Sequence, residues 1–572
     1  MGERSKIYPH VIPKMSEWPI YKMLADRKNF VKEIEEFTLQ RLLQKHGDEI
    51  GDIVAKTIYL ERIRIKEEPW KVDPPNDGLF WKRIRKQLVV KSLDKNVEEA
   101  RASNEKILRQ ILHRYAEEIV GTFKISTFRF ARKFLTIFFN RLLNTAAGRN
   151  LKRIYGTKYH FYERLLTKGE VEKVRKLMTK GTVVFVPTHF SNLDSILVGY
   201  AMDRIMGLPS SSYGAGLNLY NTGYIAYFMN RLGAYRVDRR KKNPIYLETL
   251  KAMSNLSIQR GTNSLFFPGG TRSRIGALET KLKLGLLSTV MEAQRSLYEK
   301  GREDKIFVVP IITSYHVVLE AKYLIEQHLR RTGKERYIKT KDEFQSFRKI
   351  IKFAWNFFSQ PSEITLSFGK PMDVLGHFVD EEGLSFDQFG KPLDVRDYFI
   401  SKGKVTADFQ RESEYTRILA DRIVERYHKE NIVLTSHLVA FAAFNILKNE
   451  KPKLDLYGIL RLPTDDYVFS KELLKTVVQQ LKNRLIELQK LGRIKLSKQI
   501  YFEADDLIAD GIKNLGIYNA EKPLIYNNKG ELISEDFKML YYYHNRLENY
   551  GLDKIIEWKK ETKKKRTPVE AE

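Results

Sequence analysis

His189 and Asp194 stand five residues apart just after the apolar run 182–187. An imidazole that shares one ring nitrogen with a carboxylate has its tautomer fixed and its other nitrogen available to take a proton, which is the arrangement of a general base acting on a hydroxyl. The spacing restricts how the two meet, because residues five apart on a continuous helix lie about 140° apart around its axis. They converge only with His189 in a loop and Asp194 in the first turn of the next helix. A structural reading stands beside this one: Ser191-x-x-Asp194 also has the form of a capping box.

A second segment, Phe266-Phe267-Pro268-Gly269-Gly270-Thr271-Arg272-Ser273-Arg274, offers two glycines for close backbone approach, two hydroxyls and two guanidiniums. Such a loop suits a phosphate or another oxyanion. A tight turn beside surface arginines has the same composition. Arg236, Arg239 and Arg240 form a further guanidinium cluster in the segment 233–240, or a solvated basic edge.

These residues need a frame. Short apolar runs at 182–187, 264–268, 306–312 and 364–368 alternate with helical stretches such as 282–300. That alternation predicts an α/β core with a largely parallel sheet, whose ligands sit beyond the strand ends. Residues 1–120 read as an N-terminal helical region with periodic charged segments at 29–47 and 96–119, split by a proline-rich linker near 69–77. The α/β domain is expected over 151–400, a C-terminal helical domain over 401–558 with a strongly periodic stretch at 470–491, and a disordered basic tail over 559–572.

Residues 121–150 form an amphipathic basic-aromatic segment in which Phe123, Phe128, Phe130, Phe134, Phe138 and Phe139 are interleaved with Lys124, Arg129, Arg132, Lys133 and Arg141. This is the composition of a helix lying at a membrane surface, or of a core helix with a basic edge. The apolar stretch 432–447 has 16 residues and includes His437 and Asn445. A bilayer span needs about 20, so membrane contact is expected to be peripheral. Residues 1–14 show no signal-type apolar core, and Lys6 stands where a myristoylation pattern wants Ser or Thr.

The chain of 572 residues carries 100 Lys and Arg against 71 Asp and Glu, a formal charge of +29 that favours phosphates, anionic headgroups or an acidic protein as partners. It has no cysteine, which excludes disulfides, thiolate nucleophiles and Cys-ligated metals. No Gly-x-Ser-x-Gly elbow, zinc-type His spacing or recognisable nucleic-acid motif is present.

Taken in order, these segments resemble the glycerol-phosphate acyltransferase superfamily. Its first motif, His-x4-Asp, is His189 to Asp194, and its second, Gly-Ala-Phe-x-x-x-Arg, is met by Gly233 to Arg239 with Tyr235 for Phe. The third, (Pro or Val)-Glu-Gly-(Thr or Gly)-Arg-Ser, falls on Pro268 to Ser273, and the fourth, an apolar strand containing proline, on 308–312. Segments 309–320, 368–371 and 434–440 are similar to the large membrane-bound glycerol-3-phosphate acyltransferases. The resemblance is firm over 180–375 and weaker over 120–180 and 410–500. One departure stands out: Gly269 replaces the family's Glu, a carboxylate associated there with acceptor binding.

The resemblance implies an O-acyltransferase in which His189, oriented by Asp194, deprotonates the sn-1 hydroxyl of glycerol 3-phosphate for direct attack on an acyl thioester, giving lysophosphatidate for phospholipid synthesis. It further implies that Arg236, Arg239, Gly269, Gly270, Thr271, Arg272, Ser273, Arg274 and Pro310 bind substrate, with amides near Gly270 meeting the oxyanion. Acyl-CoA or acyl-carrier protein is the expected co-substrate, with no cofactor or metal, at the cytoplasmic face of an anionic membrane. Lysophosphatidate and dihydroxyacetone phosphate remain alternative acceptors. A non-catalytic basic protein binding membrane or nucleic acid is the alternative of a different class.

Overall fold

Seven strands build one sheet: β1 (Leu165–Gly169), β2 (Gly181–Pro187), β3 (Ser212–Gly216), β4 (Ala234–Val237), β5 (Ser264–Leu265), β6 (Lys305–Tyr315) and β7 (Ile364–Phe368). Their order is β1-β7-β6-β2-β5-β3-β4. This computed structural model describes residues 5–91, 97–146, 165–221, 223–316, 318, 320–332, 364–515 and 521–558. The α/β core expected from the alternating runs is therefore present, and five strands are mutually parallel. β7 runs antiparallel to β6, with Ile311 opposite Phe368 and Tyr315 opposite Ile364, and β1 follows β7 in parallel.

β2 lies at the centre, and Val183, Val184, Phe185 and Val186 are all fully buried. A strand covered on both faces reads as an unbroken apolar run, which is why this segment is conspicuous in the sequence. β6 pairs with β2 over Lys305 to Ile311 and then continues to Tyr315, past the end of β2. Pro310 sits inside β6 opposite Val186. On its other edge β6 changes partner, from Met372 at Val308 to β7 from Ile311 onward, while the Pro310 carbonyl accepts from Gly369 N at 2.9 Å. A proline at that change of partner removes no ladder bond.

Among the described residues one compact unit comprises 5–273, 279–315 and 364–431, and a second comprises 274–278, 316–332 and 432–558. The expected boundaries near 120 and 401 thus differ from the division seen. The periodic segments of the N-terminal region are helices Arg27–His46 and Val97–Ile119. Their apolar faces share a core with the helix Pro244–Gln259, so that Trp18, Phe30, Trp81, Tyr115, Tyr235 and Tyr246 are buried together. A polar cluster ties the same elements. Tyr115 donates to Glu61 Oε1 at 2.8 Å, and Asn243, which caps the helix by accepting from Tyr246 N, donates to Glu61 Oε1 at 3.0 Å. Buried polar groups satisfied in this way fix register as well as stability.

The helix Phe409–Glu430 likewise belongs to the first unit. Its Leu419, Ile423 and Tyr427 join the core of Val184, Val186 and Val308, and the Tyr427 hydroxyl donates to Val186 O at 2.8 Å. In the second unit the helix Thr435–Glu450 is buried from Thr435 through Leu447. The apolar stretch 432–447 is therefore core. Among the described residues no helix is long and apolar enough to cross a membrane.

The basic-aromatic segment divides in two. Phe123 is buried and bridges to Leu232, before the helix Ile125–Ala146 begins. Phe128 packs edge-on against Trp18 at 5.2 Å, and Arg132, instead of facing water, pairs with buried Asp203, with Nε 2.7 Å from Oδ2. Phe130, Phe134 and Ile137 are exposed at 59%, 46% and 44%. The side chains of Phe138, Phe139 and Arg141 lie outside the described residues, as does the basic tail 559–572.

Candidate active site

β2 delivers the chain to the middle of the sheet edge, where Thr188 and His189 form a loop and Asp194 opens the helix Asp194–Arg204. This is the one geometry that the five-residue spacing allowed. Asp194 Oδ2 lies 3.1 Å from His189 Nδ1 and accepts from the amides of Phe190 at 2.6 Å and Ser191 at 2.9 Å. Oδ1 accepts from the Tyr315 hydroxyl at 2.8 Å. The Asp194 side chain is fully buried, while that of His189 is 16% exposed. A buried carboxylate needs such a set of donors, and its place in the first helical turn adds a favourable dipole. The same carboxylate accepts the Ser191 amide, while the helix has Leu193 at its N-cap and no side-chain cap. With Nδ1 engaged, Nε2 is the nitrogen left for a substrate.

The loop after β5 closes over the histidine. Phe267 stacks on the His189 ring with centroids 4.2 Å apart, and Ser273 N donates to His189 O at 2.7 Å. Gly270 adopts φ +77°, a conformation that favours glycine, and its amide donates to Phe267 O at 2.9 Å. The amides of Gly270 and Ser273 thus have partners within the protein. Lys283 N closes the loop on Pro268 O at 2.8 Å. Thr271 is exposed and Arg272 half-buried.

The expected guanidiniums separate by environment. Arg239 is exposed, with protein packed around part of its side chain. That crowding and the nearby Arg272 cation hold its guanidinium below the usual basicity. Two cations held together in this way attract an anion bearing more than one charge. Arg236 is drawn instead to Asn230 Oδ1 at 2.7 Å and lies 4.9 Å over the Tyr220 ring. Arg240 pairs with Asp238 at 2.8 Å and with Asp73. Arg274 belongs to the second unit, where it and Arg331 add to burial in lowering the His328 pKa. Pro310 is buried within β6, where it serves the strand.

The contacts of Tyr315 with Asp194 and of Phe267 with His189 have no counterpart in the sequence pattern. Tyr315 reaches Asp194 only because β6 outruns β2, and that register has no local signal.

Residues 168–314 match the family model described as Acyltransferase. That region of the chain is similar to the acyltransferase family. It contains the His189 and Asp194 pair, Gly233 to Arg239, the loop after β5 and β6 as far as Ser314. The chain is 25% identical over 383 residues to a glycerol-3-phosphate acyltransferase of Aeromonas hydrophila, covering 66% of this chain and 42% of that protein. It is 24% identical over 500 residues to one of Shewanella amazonensis, covering 85% and 55% respectively. A Pseudomonas aeruginosa protein of the same name is 27% identical over 298 residues, covering 52% and 31%. The chain spans about half or less of the length of these relatives.

Proposed function

We propose that the chain transfers an acyl group from an acyl thioester, carried by coenzyme A or acyl-carrier protein, to the sn-1 hydroxyl of glycerol 3-phosphate, giving lysophosphatidate. The observation that carries this reading is the buried Asp194 holding Nδ1 of a partly exposed His189; Arg272 precedes the Ser273 that bonds the His189 carbonyl, and Arg239 lies near Arg272. His189 Nε2 takes the hydroxyl proton as the oxygen attacks the thioester carbonyl carbon. The tetrahedral adduct then expels the thiolate, which recovers the proton from the imidazolium. Arg239 and Arg272 hold the acceptor phosphate, and no covalent enzyme intermediate is needed. The names of the three relatives support the acceptor.

Attachment is peripheral, at the cytoplasmic face of an anionic membrane. The exposed Phe130, Phe134, Ile137 and Tyr227, with Arg231 stacked 3.9 Å over the Tyr227 ring, support it. Large exposed apolar side chains among cations suit an interface where acyl chains meet anionic headgroups.

The test is an acylation assay of the purified protein with glycerol 3-phosphate, lysophosphatidate and dihydroxyacetone phosphate against both donors. Lysophosphatidate formed from glycerol 3-phosphate is the expected result. Transfer to lysophosphatidate alone would replace the acceptor, and transfer to none would remove the reading.

A further inference from the structure

One carboxylate beside the dyad has no part in the steps above. Glu279 follows Gly269 by ten residues, and its Oε1 accepts from the His189 amide at 3.1 Å. The carbonyl of the same residue is held by Ser273 N at 2.7 Å. The loop after β5 therefore grips both polar groups of the His189 backbone, one through a charged side chain. That side chain occupies the space beside Gly269: a Cβ there would stand 3.1 Å from both Cγ and Oε1 of Glu279. The space beside position 269 is filled by a carboxylate from further along the chain.

We infer that Glu279 is the positioning residue for His189, fixing its backbone through Oε1, in a site that accommodates it only because position 269 is glycine. Gly269 and Glu279 therefore form a coupled pair. A carboxylate can occupy this wall from either position, and two at once would crowd and repel each other.

The inference rests on the acyl-transfer reading of His189, so its test has a readout that does not depend on turnover, the thermal unfolding of the full-length protein. Glu279→Ala should lower Tm and reduce kcat about tenfold or more with the acceptor KM nearly unchanged, while Glu279→Gln, which keeps the shape and an acceptor oxygen, should recover part of that loss. Gly269→Glu alone should lower Tm and kcat, and Gly269→Glu with Glu279→Ala should restore both toward wild type. A Glu279→Ala variant with wild-type Tm and kcat, or a double variant no better than Gly269→Glu, overturns the inference. Absence of acyl transfer in the wild type would instead remove the acyl-transfer reading, and the Tm series would still decide whether Gly269 and Glu279 are coupled.

Discussion

Tyr315 donates its hydroxyl to Oδ1 of Asp194 at 2.8 Å, the carboxylate oxygen opposite the one that His189 engages. One oxygen therefore serves the imidazole and two amides, and the other is steadied by a phenol from a neighbouring strand. A hydrogen bond to a charged group is worth about 1.5–3 kcal/mol, or roughly ten- to a hundredfold in an equilibrium. Tyr315→Phe is expected to lower kcat by about tenfold or more, with the acceptor KM nearly unchanged, in steady-state kinetics. Wild-type turnover in this variant would show that the dyad holds its geometry without the phenol.

The dyad members should differ in stability. His189→Ala and Asp194→Asn are both expected to reduce acyl transfer about 10²- to 10⁴-fold. His189 is partly exposed, so its removal should leave Tm close to wild type. Asp194 is fully buried and meets four donors, and an asparagine presents an N–H to groups that need an acceptor. Calorimetry should therefore show a lower Tm for Asp194→Asn alone.

Arg272→Lys keeps the charge and loses the planar fork that grips a phosphate at two points. It should raise the KM for glycerol 3-phosphate by about tenfold while the donor KM changes less, and Arg239→Gln should act in the same direction. Equal kinetics for wild type and Arg272→Lys with every acceptor would detach this loop from phosphate recognition.

Vesicle co-sedimentation tests the exposed patch. Phe130→Ser with Phe134→Ser should weaken binding to anionic vesicles, and raising the salt should weaken it further, because exposed charges are screened over about 8 Å at physiological ionic strength. Binding indifferent to both would place attachment elsewhere.

Acid should weaken the second unit. Burial lowers the pKa of His316 from 6.5 to about 4 and that of His544 to about 3. Both are neutral in the fold, and the unfolded chain takes up these protons first. Their contribution to stability is complete above pH 6.5 and falls as pH drops from 6.5 toward about 4 for His316 and about 3 for His544, by up to about 1.4 kcal/mol per pH unit for each. Thermal unfolding between pH 7 and pH 4.5 should show this slope, and His544→Phe should flatten it.

Legibility followed the range of the interactions. The buried strand 182–187 and the periodic helices could be read because burial on two faces and the 3.6-residue period leave local patterns. The dyad was legible for a similar reason, since a five-residue spacing at a strand end admits one converging geometry. Tyr315 depends on the register of β6 against β2, and Glu279 on the path of a loop that folds back over ten residues. Neither leaves a local pattern. The basic-aromatic helix was half legible: composition alone does not tell that Phe123 and Phe128 turn inward to Trp18 while Phe130 and Phe134 stay exposed.

What is inherited as one family region and what folds as one body are different lengths of chain here. The family match stops at 314, yet β6 inside it pairs with β7 beyond it, and the helix Pro244–Gln259 in its interior lays Tyr246 against Tyr115, at 5.2 Å, from helices that precede it. A gene fragment limited to residues 168–314 would present those surfaces to water. Moving this region into another chain should therefore preserve its fold only when the flanking helices travel with it.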